Sequence, residues 1–171
     1  MDSNLERVHE AIGRATRDLT RDQLTRHPEG KWCVAEILEH LALTYSGTVK
    51  AMERVLAAGK PLARPATLKE GIATALVVEA GHMPGGRQAP EMTRPRGLPP
   101  EQAVARIQED FAAMGRALEQ CRERFGPSVK IANHPILGPL SVHQWCKFHW
   151  VHTRHHMKQV ERLRRQTAQP R

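Results

Sequence analysis

Three of the ten histidines in this chain, His149, His152 and His156, fall on one line. Stepping by threes and fours through the C-terminal segment gives Val142, Trp145, His149, His152, His156, Gln159 and Leu163, the stripe an amphipathic helix turns towards its neighbours. Packing alone does not select imidazoles there, because a buried ring needs partners for both nitrogens. His152 and His156 are four residues apart, so their rings stand one turn apart on one face, and two such rings can meet a single metal ion. A third ligand must then come from elsewhere. His40, between Ile37 and Leu41 on the border of an apolar face, is one candidate, and His149 is a competitor. His155 lies off the stripe. Glu36, one turn before His40, is a candidate to orient that ring or to act as a base, with a solvated glutamate as the equal alternative. Gln159, one turn past His156, could hold a ligand histidine or simply end the stripe. Trp32, Tyr45 and Trp145 fit core positions better than a pocket. Cys33, Cys121 and Cys146 form no close pair and accompany no base motif, so they read as reduced, buried residues and not as nucleophiles.

The elements that must position these groups are helical. Leu5, Val8, Ile12, Ala15 and Leu19 share one face of a first helix capped by Asp2 or Ser3. After a connection around His27–Gly30, a second helix starts near Val34 and is stopped by Gly59 and Pro61. A shorter helix is predicted from about Leu68 to Ala80. The segment 81–100 is rich in glycine and proline, and loops of that length are functional or disordered. Pro99-Pro100 opens a further helix with Ala103, Ile107, Phe111, Met114, Leu118 and Cys121 on its apolar face, closed by Gly126-Pro127. The last helix begins at Ser141, where Ser141 and Gln144 make a capping box, and runs to about Arg165. No alternating strand pattern is present, so the expected fold class is all-α, four long helices in a bundle with one extra short helix and no regular sheet. One domain spans 1–165, and 166–171 is expected to be a flexible tail.

Two segments carry a resemblance. Trp32, Glu36, His40 and Leu41 resemble the W-x-x-x-E-x-x-x-H-L segment of the DinB-like superfamily, and His152–Gln159 resembles its H-x-x-H-H-x-x-Q signature. The run His134-Pro135-Ile136-Leu137-Gly138-Pro139-Leu140-Ser141, followed by Trp145, is similar to one little-characterised branch of that superfamily. The resemblance implies a bundle of four main helices and a divalent metal held by His40, His152 and His156. Some relatives are thiol-dependent transferases or isomerases, and others are assigned as hydrolases. Three neutral imidazoles leave at least one coordination position open, as in catalytic and unlike closed structural sites. An open position acidifies water or takes a thiolate, and imidazole suits zinc, nickel or iron(II) best. The expected function is a metal-dependent hydrolase or low-molecular-weight-thiol transferase, the alternative a non-catalytic metal-binding or interaction module. A fourth ligand from His149 would close the site and argue for structure.

Composition narrows the partners. The 171 residues are 40% apolar, ordinary for one globular domain with a sizeable core. The formal charge of +8 is spread along the chain, densest at Arg162, Arg164 and Arg165 in the last helix, where cations suit the helix dipole. No basic stripe interleaved with aromatics is present, so nucleic acid is not an expected partner. The charged N-terminal MDSNLERVHE and the short apolar runs exclude a membrane partner, and a cytoplasmic location is expected. The expected partners are a small-molecule substrate of unknown identity and a second copy, with Trp150 and Met157 contributing to a two-fold face.

Overall fold

The computed structural model describes residues 2–86 and 88–168. The chain is mostly helical. In order come α1 (Ser3–Thr16), α2 (Arg21–Thr25), α3 (Val34–Ala58), α4 (Leu68–Thr74), a π-helical turn (Ala75–Glu79), a 3-10 turn (Glu91–Thr93), α5 (Pro100–Phe125), β1 (Lys130–His134), β2 (Gly138–Ser141) and α6 (Val142–Ala168). Among the described residues no helix is long and apolar enough to cross a membrane.

Helix ends follow the side chains that satisfy their free N–H groups. The Asp2 carboxylate accepts from the Asn4 N–H at 2.8 Å and starts α1. Ser141 and Gln144 cap α6 reciprocally, at 3.3 and 3.2 Å. The five-residue α2, which hydrophobic spacing does not reveal, rests on the same device between Thr20 and Gln23. The expected short helix is α4 extended by the π-helical turn, and it is the turn, through Val77 and Val78, that reaches the core. Of the expected tail, residues 166–168 are the end of α6 and 169–171 lie outside the described residues.

Packing pairs α1 with α6 and α3 with α5. Val8 and Ile12 of α1, Leu38, Leu41 and Met52 of α3, and Ile107, Met114 and Leu118 of α5 are all nearly inaccessible. Tyr45 of α3 is fully buried, and its hydroxyl meets Thr153 Oγ1 of α6 at 2.6 Å, a polar tie that fixes the two helices in register.

The absence of sheet needs correction. β1 and β2 pair antiparallel, with Ala132 opposite Leu140 and His134 opposite Gly138. The strands are five and four residues long, and every residue of β2 is buried, so no alternation betrays them. The intervening turn is held by His134, whose Nδ1 accepts from the N–H groups of Ile136 and Leu137 at 3.1 and 3.2 Å. Gly138 closes it with φ +70°, and a Cβ there would stand 2.7 Å from Glu70 Cδ. Glu70 cannot give way, because Arg64 grips its carboxylate and the Thr67 N–H donates to it at 2.9 Å. Gly138→Ala is therefore expected to cost about 1–3 kcal/mol from left-handed strain and overlap together. Urea unfolding followed by circular dichroism measures this, and an unchanged midpoint would refute it.

Candidate metal centre

The structure brings together His40 of α3 with His152 and His156 of α6, their ligand atoms all within 4.8 Å of one another. His152 Nε2 is the apex, 3.2 Å from His40 Nε2 and 3.1 Å from His156 Nε2. His40 and His156 are 4% and 8% exposed, so the cluster is shut off from bulk water on those sides. Aromatic rings complete the walls: Trp32 lies against His40 with centroids 5.1 Å apart, and Phe148 stacks on His152 at 5.4 Å.

The partner of an outward nitrogen fixes the tautomer of His40. His40 Nδ1 is 2.7 Å from the Thr93 carbonyl, which can only accept, so Nδ1 carries the proton and Nε2 a lone pair. His156 Nδ1 is 2.8 Å from Gln159 Oε1 and donates to it with the amide in this orientation, its nitrogen 3.2 Å from His155 Nε2. Two lone pairs thus point at His152 Nε2. A proton on that nitrogen satisfies one of them and leaves the other facing nitrogen, while His152 Nδ1 is buried and has no partner. A cation between the three nitrogens removes the clash of lone pairs, with His152 then carrying its proton on Nδ1. Nitrogens bound to one tetrahedral zinc ion at its usual bond length lie about 3.3–3.4 Å apart. The observed 3.1 and 3.2 Å fall within a few tenths of an ångström of that spacing. Electrostatics point the same way. Burial first, then neighbouring histidines, hold His152 well below the ordinary 6.5 and push His156 down to about 3, and burial lowers His40. The rings are neutral at physiological pH, as ligands must be.

The other residues singled out in the sequence go elsewhere. His149 is fully buried, but its Nε2 pairs with Thr48 Oγ1 at 3.0 Å, and it is not one of the clustered histidines. The Thr48 hydroxyl donates to the Thr44 carbonyl, so His149 Nε2 is the donor to Thr48. Glu36 does not face His40. Its carboxylate accepts from the Cys33 N–H at 2.8 Å and caps α3, with His27 Nδ1 3.5 Å away. His27, Cys33 and Glu36 form a second trio of potential ligand groups. There His27 is exposed, and burial raises the Cys33 thiol. Burial likewise raises Cys121 and pushes Cys146 up to about 12, so all three thiols are poor nucleophiles.

Spacing does not disclose two participants. Thr93 enters the site through its carbonyl, which no residue identity signals. Glu39 is 2% exposed and accepts from three successive backbone N–H groups, those of Arg96, Gly97 and Leu98, at 2.8, 3.1 and 3.0 Å. The segment 81–100 is thus tied to α3 at two adjacent residues.

Fold and site together define a mostly helical protein with a buried trio of histidines able to hold a metal ion. Residues 2–163 match the family model described as a protein of unknown function, DUF1569, and the chain belongs to that family. No curated protein and no solved structure matches it.

Proposed function

We propose that this chain is a metalloprotein of the DinB-like kind, a helical bundle around one divalent ion held by His40, His152 and His156, and that it serves a metal-dependent hydrolysis or thiol transfer on a small molecule. The observation that carries the reading is the convergence of three neutral imidazoles on one point, with the Nε2 lone pair of His40 fixed there by the Thr93 carbonyl. Zinc, nickel and iron(II) suit that donor set. A metal there would supply Lewis-acid chemistry at an open position, because the trio contains three ligands and His149 is committed to Thr48. The protein's own part is to hold the rings neutral, to keep them oriented through Thr93 and Gln159, and to wall the site with Trp32 and Phe148.

Metal analysis of protein prepared without a histidine tag, followed by calorimetric titration of the metal-free chain, tests this. One equivalent of zinc or nickel per chain is expected, and proton competition should set in only well below the ordinary imidazole value of 6.5, because burial already keeps the metal-free rings unprotonated there. Absence of stoichiometric binding at pH 7.5 would refute the metal centre. Stoichiometric metal without turnover in hydrolase and thiol-transfer screens would favour the non-catalytic alternative.

A further inference from the structure

We propose that Glu39 is a positioning residue for the metal centre: it latches the 91–98 segment to α3 and so sets the tautomer of His40. The inference rests on reading the three histidines as a metal centre. Glu39 and His40 are consecutive on α3, so their side chains leave the helix about 100° apart. Both are buried, and both close on the same piece of chain. Glu39 takes the N–H groups of Arg96, Gly97 and Leu98, and His40 Nδ1 donates to the Thr93 carbonyl at 2.7 Å.

The latch and the carbonyl are mechanically close. Between Thr93 and Arg96 stand only Arg94, which is extended (φ −70°, ψ 138°), and Pro95, whose ring fixes its own φ. On the other side, Thr93 is locked by its own turn, its N–H and hydroxyl both donating to the Pro90 carbonyl at 2.9 and 3.0 Å. A short, stiff piece of chain therefore carries the Thr93 carbonyl, and its anchorage to α3 is the Glu39 carboxylate. Gly97 lets three successive N–H groups converge on that carboxylate by adopting φ +86°, a conformation that favours glycine. With the latch closed, the carbonyl demands a proton on His40 Nδ1 and leaves Nε2 free to bind metal. With it open, no carbonyl holds the proton on Nδ1, and the metal-free ring is free to carry it on the ligating nitrogen, where His152 Nε2, 3.2 Å away, can accept it.

Glu39→Gln tests this, because it keeps the size of the side chain but cannot accept three N–H groups as a carboxylate does. Long-range proton–nitrogen correlation spectra of the metal-free protein report the tautomer of each histidine directly. In the parent, His40 and His156 are both expected to carry the proton on Nδ1. In Glu39→Gln, His40 is expected to become a mixture while His156, held by Gln159, does not change. Zinc affinity is expected to fall about tenfold, the lower end of what losing a ligand's hydrogen-bond partner costs. Gly97→Ala attacks the same latch from the other strand of chain, with open space for the added methyl, and is expected to shift both readouts in the same direction. It carries the test if Glu39→Gln does not fold. A folded variant with His40 still wholly protonated on Nδ1 and zinc affinity within twofold of the parent overturns the proposal. A parent that binds no zinc sinks the metal reading instead, and the tautomer of His40 in the metal-free variants still decides the latch.

Discussion

His152→Ala is expected to abolish stoichiometric metal binding, lowering affinity by roughly three orders of magnitude or more, about 4 kcal/mol. His152 Nε2 is the apex of the cluster, in contact with both other ligand nitrogens, so its removal takes away the donor that each of the other two faces, although the His40 and His156 rings remain 4.8 Å apart. His156→Ala is expected to do nearly as much, since it also frees Gln159. His40→Ala leaves the two rings of α6 and should weaken binding strongly. His143→Ala and His155→Ala should bind like the parent, because neither belongs to the cluster. His149→Ala separates the arguments: it should lower stability by about 3 kcal/mol through the buried cavity it leaves. It should still bind one ion, because its imidazole is engaged with Thr48. Titration calorimetry on the metal-free variants decides among these. A His40 variant that binds as tightly as the parent would show that the centre lies elsewhere.

The histidines are legible because helical spacing is itself a statement about direction: residues four apart on α6 share a face whatever surrounds them. His40 is harder, since nothing in its own segment says which ring of another helix it meets. The resemblance to a known pattern supplies that link, and the positions of the three rings are consistent with it. Glu36 illustrates the limit of spacing. It lies one turn from His40, yet its position three residues past Cys33 also makes it the carboxylate of a capping box, and capping is what the structure shows. A cysteine at the cap hides that pattern from the usual serine or threonine signature. The hairpin is illegible for a different reason. Its second strand is buried throughout and includes Pro139, so it offers neither alternation nor a typical strand composition. The anchoring of the 91–98 segment is least visible of all, because one carboxylate binds backbone N–H groups 57 to 59 residues away and backbone donors have no letter in a sequence.

Acid is expected to unfold the metal-free protein before most carboxylates are protonated. Burial pushes His149 and His156 down to about 3 and His134 down to about 4, all from an ordinary 6.5. Above pH 6.5 these rings are neutral in both the folded and the unfolded chain and do not bias the equilibrium. Below it the unfolded chain takes up a proton at each ring while the folded chain does not, so stability falls with pH throughout the window down to about 3–4. At pH 5 each ring favours the unfolded state by about 2 kcal/mol, and the three together by roughly 6 kcal/mol. That is comparable with the whole stability of an ordinary domain, about 5–15 kcal/mol. His40 and His152 are shifted in the same direction and add to it. The folded chain has little means of accepting these protons: the lone pair of His134 Nδ1 is taken by the N–H groups of Ile136 and Leu137, and His149 sits among Tyr45, Trp145 and Phe148. Near-ultraviolet circular dichroism from pH 8 to 4 is therefore expected to show cooperative loss of tertiary structure centred at about pH 5. His149→Leu removes one titrating ring and keeps an apolar side chain there. Because the Thr48 hydroxyl still donates to the Thr44 carbonyl, it should move that midpoint to lower pH. A metal-free parent that keeps its full near-ultraviolet signal at pH 4 would show that these histidines are not buried in the way described.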